Sequence, residues 1–371
     1  MAAPRLIKSI LGRAGSLAFW IRTSALPRLL PADECLSFLM TDDVSRNALR
    51  VAATLGIPDL IQQGVNDAQS IAAAVAANPD AVSRLLRHLA ARGVFAVSSD
   101  HTLRLTKVGL LLTSGHPSSR RSEFDVNGAG PRFERALSGM LHSIRTGESA
   151  YEEIHGQSLW EQMTENPSLM DAFDSEMEHH ARSTGAELLS KYPWNRYQSV
   201  ADVGGGTGAL LRVILDGNPH LKGTVIEMSD AVHRARRTLS DAGLSNRSDV
   251  VDGSFFDALP ISADIYILSW ILHDWNDRDA IRILRRCREG LKEGGRVLII
   301  EKLLDRHPDT AMDLRMLVYF GGKERYLSEY EDVIGEASLA LLQTIDLANG
   351  FCVLECGVAS PMHSPPPEPP T

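Results

Sequence analysis

A run of glycines follows a short apolar segment near the middle of the chain. In "SVADVGGGTGALL", residues 199–211, the glycines stand at 204, 205, 206 and 208. Glycine weakens regular structure through lost backbone entropy, so this density is typical of places where the backbone approaches another group closely. A glycine turn between a strand and a helix presents backbone N–H groups to a ligand. We therefore predict a ligand-binding loop with contacts at Gly204, Gly206 and Gly208.

Two acidic residues near this loop indicate which ligand it binds. Glu227 ends the next apolar segment, 19 residues after Gly208, where a carboxylate can accept both hydroxyls of a ribose. The glycines also fit the dinucleotide pattern GxGxxG/A, which alone is weak evidence. Asp202 precedes the loop, and an anion there would repel a pyrophosphate but suits an ammonium group. The acidic residue and the alternative spacing GxGxG favour S-adenosylmethionine as the cofactor.

His273 is the residue whose type and position suit proton transfer. It follows the apolar segment 264–268, and sites of α/β proteins form at the carboxyl ends of such strands. A histidine with a pKa of ~6.5 can act as a general base near neutral pH. From the residues alone, a general base and a buried or capping histidine are equally open. Asp277 and Asp279 are expected as N-cap and first-turn residues of the next helix rather than as metal ligands, so we expect no metal site.

The elements that must position these residues alternate between strands and helices. Short apolar segments occur at 199–203, 223–228, 249–253, 263–270 and 295–303. The stretches between them have helical spacing, as in "DAIRILRRCREGL". Such alternation predicts an α/β domain with a parallel, doubly wound sheet.

The preceding region, from residue 34 to 182, is expected to be mainly helical. "RNALRVAATLGIPDLIQQG" has helical spacing with Gly64 as its stop, and two short helices are expected to meet at Asn78-Pro79. A hairpin is predicted around residues 98–100. Helices followed by a small hairpin form a winged-helix pattern. We expect its arginines to serve a solvated or subunit-facing surface rather than DNA reading.

Composition is that of an ordinary globular protein. The 371 residues are 44% hydrophobic and 23% charged, with a formal net charge of −9, which argues against bulk binding of nucleic acid. The cysteines form no CxxC pair, which favours free thiols in a reducing compartment: Cys35, Cys287, Cys352 and Cys356. The basic start of the chain suits a transit or membrane-surface segment, or an arm that packs on a partner subunit. The proline-rich end predicts a disordered tail.

Three motifs occur in an order that points to one family. They are "VADVGGGTG" at 200–208, "ILHDWND" at 271–277 and "GGKER" at 321–325. Together they resemble the S-adenosylmethionine-dependent O-methyltransferases of the caffeic acid and hydroxyindole type, over roughly residues 36–357. The resemblance implies a helical dimerisation domain with a winged-helix core, followed by a Rossmann-like catalytic domain. The expected organisation is a basic arm at 1–33, the dimerisation domain at 34–182, the catalytic domain at 183–357 and the tail at 358–371.

The resemblance also implies roles for individual residues. His273 matches the base that removes the hydroxyl proton, and Glu301 and Glu324 match the family's catalytic glutamates. Phe255 matches the residue that packs on adenine. The expected lining of the acceptor pocket consists of Phe173, Met177, Trp270, Asp274 and Met316. The family works without a divalent cation.

The chain departs from the family pattern at several positions. Ser254 stands where plant members commonly have an aspartate that holds the adenine amino group, and Ser269 where a lysine or similar residue is frequent. We still expect both serines in the cofactor site, where a hydroxyl cannot replace the charge of the usual residue. Tyr326 replaces a small hydroxyl residue, and "EASLALL" replaces an Ala-Gly-Phe turn, so the final hairpin is expected to be irregular.

The function expected from these residues is methyl transfer to a hydroxyl of an aromatic small molecule of phenol, flavonoid or polyketide type. One alternative is the same fold acting as an N- or C-methyltransferase, a decarboxylase or a hydroxylase. Another is a non-catalytic winged-helix sensor that binds DNA. The expected protein is a cytoplasmic homodimer without nucleic acid or membrane partners, although the basic N-terminus leaves a membrane contact open.

Overall fold

A computed structural model describes residues 43–98, 102–117, 119–228, 230–306, 310–347 and 350–359. The chain divides at Pro131 and Arg132 into two compact units. Residues 132–182, which the sequence assigned to the dimerisation domain, belong to the second unit. The functional boundary at 182/183 stays a prediction.

In the described part of the first unit, four helices precede a small hairpin. They are α1 (Asp43–Thr54), α2 (Ile57–Gln62), α3 (Ala68–Ala74), α4 (Pro79–Ala91), β1 (Phe95–Val97) and β2 (Leu103–Leu105), followed by α5 (Lys107–Leu110) and α6 (Arg121–Phe124). The single helix expected up to Gly64 is wrong. Gly56 adopts φ +66°, which breaks the helix, and Pro58 lies in the first turn of α2.

The winged-helix pattern of this unit is confirmed. Asn78 caps α4 by accepting from the Ala81 N–H, and Pro79 occupies the first helical position. The antiparallel β1–β2 pair follows directly, with Phe95 opposite Leu105. A core that includes Ile57, Ile71 and Leu89 joins the helices to the hairpin.

A helix that crosses the division between the units leads into further helices of the second unit, which ends with the sheet. The helices are α7 (Ala129–Ala136), α8 (Met140–Thr146), α9 (Ala150–His155), α10 (Leu159–Glu165) and α11 (Pro167–Lys191), with short 3₁₀ turns at Leu137–Gly139 and Trp194–Arg196. Asn166 caps the 25-residue α11 by accepting from the Leu169 N–H. This helix carries Phe173 and Met177.

The remaining elements form the predicted α/β layer. In chain order they are β3 (Ser199–Val203), α12 (Ala209–Gly217), β4 (Lys222–Glu227), α13 (Asp230–Asp241), β5 (Ser248–Asp252), β6 (Ala263–Ser269), a 3₁₀ turn at Leu272–Asp274, α14 (Asp277–Gly290), β7 (Leu291–Lys302), α15 (Ala311–Phe320), α16 (Leu327–Glu336), β8 (Leu339–Asp346) and β9 (Phe351–Val358). The strand order is β5-β4-β3-β6-β7-β9-β8. All pairs up to β7 are parallel, and β9 pairs antiparallel with both β7 and β8. The doubly wound, mostly parallel sheet is therefore confirmed.

Strand β7 shows why this sheet is buried on both faces. Val297 and Ile299 point into one apolar core, and Leu298 and Ile300 point into the other. Helices cover both faces, as parallel sheets require. Strand order reverses between β3 and β6, and a crevice at such a reversal is where ligands bind in open α/β sheets.

The final hairpin is irregular, as expected. The β8–β9 register shifts between Leu341 and Gln343. Ser338, at the turn into β8, adopts φ +60°, a conformation that costs a serine more than a glycine. Tyr326 is accommodated at the start of α16 because its N–H donates to Glu329 while its ring stays half exposed.

Several expectations fall on the chain ends. The basic arm at 1–33, Cys35 and residues 360–371 of the tail lie outside the described residues, whereas Val358 ends β9. The three described cysteines, Cys287, Cys352 and Cys356, are buried free thiols. In the described part of the chain, no helix has both the length and the apolar character that crossing a membrane requires.

Candidate active site

The glycine loop leaves β3 at the centre of the sheet. Gly204, Gly206 and Gly208 all have positive φ angles, of 67°, 54° and 75°. A β-carbon at Gly204 would lie 2.6 Å from the Ile271 side chain, whereas one at Gly206 would enter open space. The loop therefore needs glycine for its backbone conformation, and at Gly206 it presents bare backbone to that space.

Two carboxylates flank this loop. Asp202 is 2% exposed, and its Oδ2 has no hydrogen-bond partner among the described residues. Burial and the nearby Glu227 raise the pKa of Asp202 to about 7. Glu227 accepts from the Gly206 N–H at 2.9 Å and from the Met228 N–H at 2.8 Å. An orphaned buried oxygen next to an open glycine backbone fits a ligand that brings a cation and hydrogen-bond donors.

The loop after β5 brings an aromatic side chain beside the glycines. A β-carbon at Gly204 would lie 3.5 Å from the Phe255 ring. Phe256 and Trp275 hold this ring, with centroids 5.0 and 5.9 Å away. The Ser254 hydroxyl accepts from the Phe256 N–H at 3.1 Å, so it stabilises the turn that carries Phe255. Ser269 ends β6.

His273 lies on the 3₁₀ turn that follows β6 and is 6% exposed. Its Nδ1 is 3.0 Å from Oε1 of Glu324 and 3.6 Å from Oε2 of Glu301. Its Nε2 is 3.5 Å from Oδ1 of Asp274. The tautomer with its proton on Nδ1 donates to Glu324 and leaves Nε2 as the basic nitrogen.

Glu301 supports this turn through the main chain. It lies near the end of β7 with no exposed surface, and Oε1 accepts from the N–H groups of Ile271, Leu272 and His273 at 3.1, 2.9 and 3.4 Å. The parallel pairing of β6 with β7 places Ser269 opposite Ile300, so Glu301 comes level with the turn. The carboxylate thus satisfies donors at the turn that would otherwise be unpaired.

Three buried carboxyl groups determine the protonation of His273. Burial alone lowers the pKa of His273, but Glu301, Asp274 and Glu324 together raise it to about 10. Burial raises the pKa of Asp274 to about 6 and that of Glu301 to about 7. One ring nitrogen of His273 and one carboxylate oxygen from each of Glu301 and Glu324 lie within 4.8 Å of one another. Within this group, a proton on Nδ1 of His273 forms the hydrogen bond to Glu324.

The residues expected to line the acceptor pocket occupy several elements. Phe173 and Met177 lie on α11, Met316 is buried on α15, and Asp274 adjoins His273. Trp270 has φ +59°, an uncommon backbone conformation for a bulky residue, and its ring centroid lies 5.6 Å from that of His273.

Two residues of the site were not found from the sequence. His180 is tilted against Trp270 with centroids 4.7 Å apart, and its spacing from Phe173 and Met177 along α11 was the signal for it. Arg325 is fully buried beneath the turn that carries His273, and nothing in an arginine after "GGKE" indicates that.

The first turn of α14 differs from the expectation in one detail. Asn276, not Asp277, is the N-cap residue, because its side chain accepts from the Asp279 N–H at 3.0 Å. Asp277 instead accepts from Arg325 at 2.9 Å. Asp279 lies in the first turn, as expected.

Comparison with known proteins agrees with this arrangement. Residues 137–340 match the O-methyltransferase domain family, and residues 39–115 match the O-methyltransferase dimerisation domain. The chain is 43% identical over 303 residues to 2,7-dihydroxy-5-methyl-1-naphthoate 7-O-methyltransferase of Streptomyces carzinostaticus, covering 81% of this chain and 91% of that protein. It is 37% identical over 353 residues to aclacinomycin 10-hydroxylase RdmB of Streptomyces purpurascens, covering 91% and 94%.

A solved structure shows the same fold with ligands bound. It is the O-methyltransferase NcsB1 from neocarzinostatin biosynthesis, in complex with S-adenosylmethionine and 2-hydroxy-5-methyl naphthoic acid. The match has a TM-score of 0.80 and 41% identity and covers 86% of this chain and 98% of that one. The protein is therefore a member of the S-adenosylmethionine-dependent O-methyltransferase family that joins a dimerisation domain to a class I methyltransferase domain.

Proposed function

We propose that His273 is the general base of this methyltransferase and takes the proton from a hydroxyl group of an aromatic acceptor. The observation that supports this most directly is the 3.0 Å contact between His273 Nδ1 and Glu324, buried at the carboxyl edge of the sheet. Glu324 holds the ring in one tautomer, and Glu301 holds the main chain of the turn. This is the base-and-orienter arrangement of general base catalysis.

The electrostatics of the cluster suit a phenol. A phenol has a pKa of ~10, and the pKa of His273 is raised to about 10. Because the carboxylates raise the pKa of His273 toward that of a phenol, moving the proton from the hydroxyl to Nε2 costs less free energy than moving it to an ordinary imidazole. Asp274, 3.5 Å from Nε2, stabilises the imidazolium.

The residues around the glycine loop would hold the cofactor. Asp202 suits its ammonium group, Glu227 its ribose hydroxyls, the loop at Gly204, Gly206 and Gly208 its close approach, and the Phe255 ring its adenine. When bound, S-adenosylmethionine supplies an electrophilic methyl group on a sulfonium. Ser254 and Ser269 would border this site without contributing charge.

The acceptor is inferred from the relatives. Both the naphthoate methyltransferase and the naphthoic acid complex of NcsB1 involve a hydroxylated fused-ring aromatic acid. We infer that this chain methylates a related fused-ring phenol of polyketide type. Phe173, Met177, Trp270 and Met316 would pack against its rings.

A methyl-transfer assay tests the proposal. Purified protein is incubated with S-adenosylmethionine carrying a labelled methyl group and a panel of naphthols, hydroxynaphthoic acids and simple phenols, and products are identified by mass spectrometry. H273A should lose turnover while calorimetric cofactor affinity stays near wild type. E227A should weaken cofactor binding instead. Wild-type rates in H273A would overturn the assignment of the base.

A hydroxylase is the second candidate, because one relative with 37% identity is named as one. The mass of the product separates the two functions, since one adds a methyl group and the other an oxygen atom. Tandem mass spectra of the labelled product also locate the methyl group on oxygen, nitrogen or carbon. The intact pair of His273 and Glu324 supports O-methylation.

Two further observations support an assembly and a compartment. The dimerisation domain supports a homodimer formed through the N-terminal region. Buried free thiols at Cys287, Cys352 and Cys356 support a reducing compartment, and we infer the cytoplasm.

A further inference from the structure

Arg325 is an arginine with no exposed side-chain surface, directly beneath the turn that carries His273. A charged group is rarely buried to this extent unless it is paired and fully hydrogen-bonded. Neither the cofactor site nor proton transfer accounts for it. Its partners therefore indicate what it does.

The guanidinium of Arg325 contacts three points on one short segment. Nη1 donates to the Leu272 carbonyl at 2.8 Å, Nη2 to the Trp275 carbonyl at 2.7 Å, and Nε to Oδ1 of Asp277 at 2.9 Å. Leu272 and Trp275 bracket His273 and Asp274 in sequence. A planar group with a fixed fork of donors restrains both ends of the turn at once.

The backbone next to Arg325 also binds this turn. The Lys323 N–H donates to the carbonyl of His273 at 2.9 Å. Glu324, the partner of His273 Nδ1, lies between these two residues. The loop itself is anchored, because the Glu324 N–H donates to Asp313 at 3.1 Å and the Leu304 N–H donates to the Arg325 carbonyl at 3.1 Å.

We propose that Arg325 is a positioning residue for the base: its guanidinium clamps Leu272–Asp277 so that the His273 ring meets Glu324. This inference rests on the proposed role of His273. Glu324 and Arg325 are neighbours on one loop, so this loop carries both the clamp and the hydrogen-bond partner of the ring. A displacement of about 1 Å at such a site can reduce the rate about 100-fold.

If Arg325 holds the turn in place, loosening its contacts should change the pKa of His273. The titratable groups that face the ring are Glu301 from β7, Asp274 from its own turn and Glu324 from the loop after α15. Each raises the pKa of His273, with Glu301 first, then Asp274, and Glu324 acting through both its charge and its hydrogen bond. Loosening the turn weakens the contact with Glu324, so the pKa of His273 should move down toward its ordinary value.

R325K is the decisive variant because it keeps the charge and removes the fork of donors. We expect kcat to fall about 10- to 100-fold. The calorimetric affinity for S-adenosylmethionine should stay at the wild-type value. The acid limb of the rate–pH profile should shift to lower pH. Chemical-shift titration of the imidazole rings, with His273 assigned by its absence in H273Q, should show the same downward shift without any substrate.

R247K is the matched control. Like Arg325, Arg247 makes three hydrogen bonds to one segment, here to the main-chain carbonyls of Leu215, Asn218 and Leu221 at the end of α12. R247K should reduce thermal stability yet leave kcat and the His273 titration unchanged. A purely structural Arg325 would behave like Arg247.

A folded R325K with wild-type kcat and a wild-type His273 titration would overturn the proposal. If R325K does not fold, D277A tests the proposal instead, since it removes one of the three contacts. A smaller loss of kcat and a smaller shift in the titration of His273 are expected. No change in either would overturn the proposal. If wild-type protein transfers no methyl group, the proposed function fails, and the ring titration still tests the clamp.

Discussion

Gly322 passes directly against the main-chain carbonyl of His273, so that a β-carbon at position 322 would overlap the carbonyl oxygen and crowd Asp274. The contact is between two backbones, and neither can rotate away. Within "GGKER", Gly322 is therefore required for the close approach to the turn, and the last two residues of the motif are Glu324 and Arg325.

G322A should therefore damage both stability and activity. Overpacking of a rigid contact costs about 1–3 kcal/mol of unfolding free energy, and the displaced turn should lower kcat. Thermal melts and initial rates measure the two effects. G335A is the control, because Gly335 lies in α16 with no atom within 4 Å of an added β-carbon; it should be neutral or stabilising. If G322A had the melting temperature and the rate of the wild type, the loop would be able to move away from the turn and the prediction would be wrong.

The activity should depend on pH through His273. The ring accepts a proton only when it is neutral, and its pKa is raised to about 10. The rate constant kcat/KM should therefore rise with pH from neutrality toward about 10. E324Q removes a hydrogen-bonded carboxylate, so its acid limb should lie at lower pH, with a lower plateau because the ring is no longer oriented. Rate–pH profiles of both proteins with the same acceptor test this, and coincident limbs would contradict it.

Replacing Asp202 should preserve or raise the stability of the protein at high pH but weaken cofactor binding. Its pKa is raised from 3.8 to about 7, so the stability that it contributes is present below pH 4 and is lost as the pH rises through 7. D202N should remove this dependence and melt no lower than wild type at pH 8. It should also weaken S-adenosylmethionine binding about 10- to 100-fold, because a charge-assisted hydrogen bond of roughly 1.5–3 kcal/mol is lost. Calorimetry and melts across this pH range measure both, and unchanged affinity would refute the ammonium role.

Ser338 offers a stabilising substitution outside the site. It is exposed with φ +60° at the turn between α16 and β8. S338G should raise the free energy of unfolding by about 0.5–1 kcal/mol, since glycine adopts this conformation without steric cost. S328G, in the first turn of α16, should be destabilising instead, because this residue has ordinary helical conformation and glycine raises the entropy cost of folding. Chemical denaturation of the two variants compares them, and a loss of stability in S338G would argue against strain at this turn.

The organisation of the catalytic half was predictable because its signals are local. Apolar segments of strand length alternate with helical spacing, and each predicted strand from 199 to 303 is present within a few residues. Gly56 shows where local reasoning fails. Its neighbours continue a helical pattern, and only the backbone conformation reveals that the helix breaks there. The assignment of Asp277 failed similarly, because its acceptor role depends on Arg325, 48 residues away.

The sequence by itself determined the residue types of the site, the order of its motifs and hence the family. Only the tertiary structure decided which of these residues touch. Glu301 and Glu324 reach His273 because β7 pairs in parallel beside β6 and the loop after α15 folds back under the turn. Arg325 becomes a buried clamp for the same reason. Contacts of this kind join segments far apart in the chain, and their geometry depends on strand register and on packing in the core, which no local pattern of residues encodes.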